Sequence, residues 1–141
     1  MSNIKIFICA HKEVELPQHP FFLPIQAGAA IHKPIHGYQS DNDRDNISEK
    51  NPHFCELTCH YWAWKNLRTD YIGLVHYRRH FSLHPYAKCK WNAVLKQVEI
   101  EKDFGRIKVF VPKKRWYYIE TLYSHYAHTH YASQLDETRK I

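Results

Sequence analysis

The sequence predicts an α/β protein with an open, mostly parallel sheet and flanking helices. Apolar segments at residues 4–10, 71–76 and 107–111 alternate with segments of helical periodicity, a pattern typical of parallel strands joined by crossover helices. Residues 71–76 are apolar almost throughout, as expected of a central strand covered on both sheet faces. A length of 141 residues suits one domain. We therefore expect a single α/β domain over residues 1–141.

The segments between the strands follow from local patterns. Residues 11–24 contain three prolines and predict a long ordered loop. Residues 25–31 predict a short helix or strand, and residues 36–51 predict a long polar loop. Three later segments predict helices, the first with Val94, Leu95 and Val98 facing inward: residues 91–102, 119–131 and 133–141.

Residues 52–67 predict a mostly buried helix. Pro52 suits its first turn and Asn51 suits the N-cap. Little of its surface is polar, because two apolar stripes run along it: Phe54, Leu57, Tyr61 and Trp64 in one, and Cys55, Cys59 and Trp62 in the other.

The four cysteines include no Cys-x-x-Cys pair, and a chain of this size has enough core to fold without disulfides. We therefore expect the protein to reside in the reducing cytoplasm. Cys55 and Cys59 lie one helical turn apart, so they form either small core residues or a metal site with His53 or His60. The core interpretation is favoured, because no second ligand pair stands at a zinc-site spacing.

The net charge favours an anionic ligand. The chain has 20 Lys and Arg against 14 Asp and Glu, a difference of +6. This charge is scattered, which favours a localised phosphate site over nucleic-acid binding. The sequence has no apolar run near the roughly 20 residues that span a bilayer, and residues 4–10 are too short for a signal peptide. We expect a cytoplasmic protein without a transmembrane segment.

Cationic side chains and histidines follow each predicted strand, where ligands of open α/β sheets bind. They are His11-Lys12, then His76-Tyr77-Arg78-Arg79-His80, then Lys113-Lys114-Arg115. If the chain stays extended there, Arg78 and Arg79 point to opposite faces. Such cations predict a diphosphate site; the alternative is solvated surface charge.

Two acidic features offer further chemistry. The loop Asp41-Asn42-Asp43-Arg44-Asp45 contains two Asp-x-Asp triplets, which either hold Mn²⁺ or Mg²⁺ against a phosphate or form a polar turn. Glu56 is either ion-paired structure or a general base. The tract from His125 to His130 resembles a metal site, but solvent-facing histidines are favoured. Dinucleotide, phosphate-loop and Gly-x-Ser-x-Gly motifs are absent from the sequence.

Several motifs resemble those of one bacterial family. They are Asp45-Asn46-Ile47-Ser48, Glu56-Leu57-Thr58, Trp62-Ala63-Trp64-Lys65-Asn66 and His76-Tyr77-Arg78-Arg79. The family is a domain of unknown function in capsular and exopolysaccharide biosynthesis proteins, classed as glycosyltransferases. The resemblance implies a nucleotide-sugar glycosyltransferase-like fold and hexosyl transfer to a glycan or lipid-linked acceptor, at the inner membrane face. Family domains run longer, so we expect the chain to be the N-terminal part of a domain truncated at its C-terminus.

The resemblance also implies residue roles. Glu56 would be the base for the acceptor hydroxyl, and six residues would bind the donor: His76, Arg78, Arg79, Asp45, Asn46 and Lys65. The sequence has no Asp-x-Asp at the end of the central strand, where such enzymes often hold a metal, so a cationic clamp would replace it and no metal ligand is assigned. The alternative is a non-catalytic glycan- or anion-binding module, which the aromatic content favours.

Overall fold

The computed structural model describes residues 3–84, 86–103, 109–114 and 116–138. The chain divides into two compact units, Met1–Lys108 and Val109–Ile141. The first unit contains an open parallel sheet flanked by helices, which confirms the predicted α/β class. The helices in the described ranges are all too short or too polar to cross a bilayer.

The sheet has four parallel strands: β1 (Ile4–Ala10), β2 (Phe22–Gln26), β3 (Gln39–Ser40) and β4 (Tyr71–His76). Their order is β3-β2-β1-β4. The first strand is therefore central, and β4, predicted to be central, pairs with β1 at the edge of the described sheet. Because all strands run the same way, the carboxyl ends of β1, β2 and β4 lie at one edge.

The two faces of β1 supply two hydrophobic cores. Ile6 and Ile8 pack on one face with Val75, and Phe7 packs on the other with Trp62. The prediction that β4 is covered on both faces is wrong, because Ile72 is 43% exposed. Alternation of side chains makes β1 the strand that is buried on both sides.

The first three residues of β2 lie in the predicted loop, which ended at Pro24, and the last two lie in the segment predicted to be a short helix or strand. Ala27 N–H donates to Ala10 of β1, and the carbonyl of Gln26 accepts from Asp41. Because the backbone groups of successive strand residues face opposite neighbours, the nitrogen of Pro24, which has no hydrogen to donate, faces away from β1. There β3 pairs only with Ile25 and Gln26, so the proline removes no ladder hydrogen bond.

The predicted helix 52–67 is broken in two. A 3₁₀ turn (Ser48–Lys50) leads into α1 (Asn51–Phe54), and α2 spans Leu57–Asn66. The break is at Cys55, whose φ of 47° ends α1. Pro52 lies in the first turn as predicted, whereas Asn51 is helical and Lys50 is the N-cap.

Only Cys59 and Trp62 of the two apolar stripes on these helices are buried, because Cys55 is exposed at the helix break. Trp62 and Cys59 pack under the sheet, at 1% and 0% exposure. Trp64 and Leu57 are 65% and 53% exposed, so the prediction of a mostly buried helix is wrong.

The remainder of the first unit contains α3 (Lys90–Ala93) and α4 (Gln97–Asp103) instead of one helix over residues 91–102. Val94 and Leu95 are buried between them as predicted, but Val98 is 60% exposed and Ile100 takes its place in the core. Of the predicted strand 107–111, residues 107 and 108 lie outside the described residues, and residues 109–111 form no strand.

The second unit contains α5 (Leu122–Thr129) and α6 (Ala132–Thr138), close to the two predicted helices. Thr121 and Ser124 form a capping box that begins α5 three residues later than predicted. The half-buried His125 and the exposed His128 each place Nδ1 against the carboxylate of Glu120, at 3.0 and 3.1 Å.

Candidate functional site

A cavity of about 520 Å³ lies at the carboxyl ends of β1, β2 and β4. The end of β1, the segment after β2, the break between α1 and α2, and the end of β4 all supply lining residues. They are Cys9, Ala10, His11, Ala27, His32, Asn51, Cys55, Glu56, His76, Tyr77 and Arg78. The sheet edge that sequence reasoning selected is therefore the location of this cavity.

A tight turn at the end of β4 brings His76 and Arg78 into the cavity. Arg79 N–H donates to the carbonyl of His76 at 2.9 Å, and Arg78 N–H donates to His76 Nδ1 at 3.1 Å. Because the chain turns here, it is not extended, and the alternation of faces that extension would give Arg78 and Arg79 does not apply. Arg78 lines the cavity, and Arg79 is not among its lining residues.

Glu56 enters the same cavity because the helix breaks at Cys55. The side-chain amide of Asn51 donates to the Cys55 carbonyl at 2.9 Å, which holds the break. His76 Nε2 lies 3.6 Å from Glu56 Oε1. Because His76 Nδ1 accepts the Arg78 N–H, the neutral imidazole carries its proton on Nε2, the nitrogen nearest Glu56.

The environment keeps His76 neutral. Burial is the largest cause lowering the pKa of His76 below its usual 6.5, and Arg78 and Arg79 lower it further, against the opposing effect of Glu56. Burial also raises the pKa of the Cys55 thiol, as does Glu56. A protonated thiol is a poor nucleophile, so the polar chemistry of this cavity belongs to Glu56, His76 and Arg78.

Cations gather around the ring of Tyr77 at the rim. Lys12 Nζ and the Arg78 guanidinium carbon lie 5.6 and 5.4 Å from its centroid, and the His11 ring contacts it edge-on at 5.4 Å. Two of the three predicted cationic strand ends thus meet here. Lys113 and Lys114 belong to the second unit, and Arg115 lies outside the described residues.

The acidic loop does not fit a metal site. Asp41 is completely buried, and its carboxylate accepts hydrogen bonds from Gly28 N–H at 2.8 Å and Thr58 Oγ1 at 2.6 Å. The side chain of Asp43 accepts from Trp62 Nε1. These contacts favour the turn-forming interpretation of the loop over Mn²⁺ or Mg²⁺ binding.

Three further predicted donor-binding residues lie away from the lining of the cavity. Asp45 accepts a hydrogen bond from Tyr61 at 3.1 Å, and Asn46 Nδ2 donates within its own loop. Lys65 Nζ lies 4.0 Å from the ring centroid of Trp64. The structure brings together Glu56, His76 and Arg78, and it leaves Asp45, Asn46, Lys65 and Arg79 outside that group.

The core interpretation holds for Cys59 and is wrong for Cys55, which is exposed because it lies at the break between α1 and α2. Cys59 is buried, and its hydrogen bond with the Cys9 thiol is the main cause of its raised pKa. Within the described ranges, no three His, Cys, Asp or Glu side chains are grouped as metal ligands.

Sequence reasoning missed two contributors to the cavity, His32 and Asn51. Asn51 has the right type for a helix cap, and its contact with the Cys55 carbonyl depends on a break that no sequence pattern indicates. His32 follows β2 by several residues and has no local signal. Glu56 was found as a polar residue on a mostly apolar helix and through the family motif Glu56-Leu57-Thr58.

Comparisons with known proteins show the family to which the chain belongs. The sequence model of the family described as "Domain of unknown function (DUF4422)" matches residues 5–141. The apo structure of the bifunctional glycosyltransferase WbbM is 38% identical to this chain, with a TM-score of 0.55 over 74% of it. The match covers 20% of the WbbM chain, so this chain spans about one fifth of its length. Curated protein sequences give no significant match. The fold is therefore glycosyltransferase-like.

Proposed function

Because the chain belongs to the family of the domain of unknown function DUF4422, we propose that it forms the donor site of a glycosyltransferase. The proposed reaction transfers a hexosyl unit from a nucleotide sugar to a glycan or lipid-linked acceptor. One observation carries the proposal: a single cavity at the carboxyl ends of β1 and β4 is lined by Glu56, His76 and Arg78. The identity of 38% with a glycosyltransferase supports transfer chemistry.

Arg78 is proposed to bind the donor diphosphate. A guanidinium offers paired donors that match phosphate oxygens. Two hydrogen bonds within the turn, from Arg78 and Arg79 N–H to His76, fix the backbone that carries this side chain. As the bond between the anomeric carbon and the diphosphate breaks, Arg78 stabilises the negative charge that develops on the leaving group. Lys12 lies at the same rim and adds positive charge.

Glu56 is proposed to be the general base. Its carboxylate removes the proton of the acceptor hydroxyl while that oxygen bonds to the anomeric carbon, and the diphosphate leaves with the electron pair of the broken bond. His76 is a positioning residue, because its protonated Nε2 faces Glu56 Oε1 at 3.6 Å. A neutral His76 leaves the carboxylate free to accept the proton.

For the other family-implied residues we propose supporting roles. Asn46 and Asp45 stabilise the loop that follows β3 through hydrogen bonds within the loop and to Tyr61. Arg79 closes the turn that orients Arg78, and Lys65 covers the Trp64 ring. The contacts of Asp41 and Asp43 support a site in which cations, without a metal, neutralise the donor diphosphate.

The proposed setting is capsular, exopolysaccharide or other surface-glycan biosynthesis. A lipid-linked acceptor would bring the protein to the cytoplasmic face of the membrane as a peripheral protein. The second candidate function is a glycan- or anion-binding module without transfer, which the same cavity also fits. Turnover of a donor separates the two, because a binding module binds the nucleotide and leaves the sugar attached.

The test is thermal denaturation of the chain with UDP, GDP, CMP and dTDP, each with and without Mn²⁺. We expect one nucleotide to raise the melting temperature without requiring Mn²⁺, since ligands that bind only the folded state stabilise it. Arg78→Gln should abolish the shift, whereas the matched control Arg79→Gln should retain it. A cooperative melt that no nucleotide shifts, or a shift that survives Arg78→Gln, would contradict the proposed donor site.

A further inference from the structure

A second cavity of about 520 Å³ lies on the first unit and shares Tyr77 and Arg78 with the first cavity. Its remaining wall includes Glu15, His80 and Trp91. Sequence reasoning assigned no role to Glu15 or Trp91. Because Tyr77 and Arg78 line both cavities, the two cavities adjoin at the turn that follows β4.

Trp91 is held in place by contacts around its ring. Its Nε1 donates to a carboxylate oxygen of Glu15, the His80 ring packs edge-on against it at 5.8 Å, and Lys90 Nζ lies 4.4 Å from its ring centroid. The indole N–H is thus satisfied within the protein, and the ring surface that these neighbours leave uncovered is apolar. The apolar C–H face of a sugar ring packs on such a surface, and small-molecule sites combine aromatic walls with a few fixed polar groups.

Glu15 supplies the fixed polar group. Lys90 Nζ donates to its Oε2 at 2.6 Å, and the side chain is 63% exposed, so it is open to a ligand. The hydrogen bond from Lys90 is the largest cause that lowers the pKa of Glu15, and Trp91 adds to it. The ionised carboxylate accepts one hydrogen bond from Lys90 and one from Trp91. Its two oxygens keep further lone pairs that can accept hydrogen bonds from ligand hydroxyls.

The second cavity differs from the first in holding an ion pair. Arg78 lines both cavities, but the second cavity also contains the Lys90 ammonium paired with the carboxylate of Glu15. Burial lowers the pKa of His80, and a neutral imidazole has one ring nitrogen that can donate a hydrogen bond and one that can accept. A wall of aromatic rings, a neutral imidazole and a paired carboxylate fits a polyhydroxylated neutral ligand better than a phosphate.

We propose that the second cavity binds the sugar ring of the acceptor, with Trp91 as its apolar wall and Glu15 accepting its hydroxyl groups. This assignment rests on the proposed function, because it is the donor in the first cavity that makes the bound sugar an acceptor. A hydroxyl of a sugar held beside Tyr77 and Arg78 is directed towards the cavity that holds Glu56, the proposed base.

The test is saturation-transfer NMR on the full chain with three probes: methyl β-D-galactopyranoside, methyl β-D-glucopyranoside and methyl α-D-mannopyranoside. At least one glycoside should receive saturation. Trp91→Leu should weaken its binding about tenfold, equivalent to about 1.4 kcal/mol, and Glu15→Gln should weaken it as well. The matched controls are Trp64→Leu and Glu49→Gln, which change exposed residues outside both cavities and should have no effect.

Nucleotide-induced melting shifts on the same variants separate this proposal from the proposed function. Trp91→Leu, or Trp91→Phe if the first variant does not fold, should retain the nucleotide shift. A nucleotide shift with no glycoside binding, or glycoside binding that Trp91→Leu and Glu15→Gln leave unchanged, overturns the sugar site and leaves the donor site standing. Glycoside binding that depends on Trp91 in a chain that binds no nucleotide overturns the acceptor role and the donor site together, and leaves a carbohydrate-binding cavity.

Discussion

The carboxylate of Asp41 accepts a hydrogen bond of 2.6 Å from the hydroxyl of Thr58, and both side chains are completely buried. The same carboxylate accepts from Ser48 Oγ at 2.5 Å and from the N–H groups of Gly28 and Ala29 at 2.8 and 2.9 Å. One side chain thus connects the loop after β2, the 3₁₀ turn and α2. These segments flank Ala27, Asn51 and Glu56, which line the first cavity.

Asp41→Ala should strongly destabilise the chain. Four donors would lose their acceptor inside the protein, and a buried donor without a partner costs about 1–3 kcal/mol. We expect a loss of about 3 kcal/mol or more in the free energy of unfolding, measured by urea denaturation. Asp45→Ala removes an exposed carboxylate from the same loop and should cost less than about 1 kcal/mol. Equal losses in the two variants would show that burial of Asp41 does not matter.

Gly28→Ala should cost more stability than Gly37→Ala. Both glycines have positive φ, 67° and 80°, so either alanine introduces backbone strain of about 1–2 kcal/mol. A Cβ on Gly28 would also meet the Asn51 side chain at 2.7 Å, whereas nothing lies within 4 Å of a Cβ on Gly37. Because Asn51 lines the first cavity, Gly28→Ala should weaken nucleotide binding as well. Calorimetric melting and nucleotide titration of both variants measure the difference.

Trp62→Ala and Trp64→Ala should differ sharply although the residues are two apart. Trp62 is 1% exposed and packs under the sheet, so its loss should cost about 3–5 kcal/mol. Trp64 is 65% exposed, and its removal should change the free energy of unfolding by about 0.5 kcal/mol. Chemical denaturation of both variants checks this, and a large loss at Trp64 would mean that the exposed stripe is covered in solution.

Glu56→Gln should reduce turnover and leave donor binding nearly unchanged. Removal of a general base lowers the rate about a hundredfold or more, while Arg78 still binds the diphosphate. The readout is kcat against KM for the donor in an enzyme that contains this chain. His76→Asn should reduce kcat less, and it should shift the acid limb of the pH-rate profile, because it removes the group that faces the carboxylate. A wild-type kcat in Glu56→Gln would exclude Glu56 as the base.

The stability of the chain should fall on mild acidification. Burial lowers the pKa of His80 below 6.5 in the folded state, so the unfolded chain binds the proton more readily. The contribution of the neutral His80 to the free energy of unfolding is complete above about pH 6.5. It is lost as the pH falls through the lower pKa that His80 has in the folded state. Melting temperatures from about pH 7.5 to about pH 5.5 should therefore decrease. The decrease should be smaller in His80→Asn and unchanged in the control His36→Asn, an exposed histidine.

Local patterns predicted β1 and β4 because each is a continuous apolar run, and they predicted α2 because of its helical periodicity. They missed the first three residues of β2, since a proline in a strand is tolerated only where its missing N–H has no partner, and that depends on how short β3 is. They failed again at Cys55, because a left-handed residue inside a helical pattern has no signal when it is not glycine.

The fold class and the edge of the sheet where the cavity lies could be predicted from the sequence, because hydrophobic periodicity is local and the alternation of strands and helices implies parallel strands. Glu56, His76 and Arg78 were also identified as candidates from the sequence. Folding is needed to show that these three line one cavity, that Asp41 is a buried hydrogen-bond acceptor, and that Glu15 and Trp91 line a second cavity. Those relationships join segments that are distant along the chain, and packing sets them.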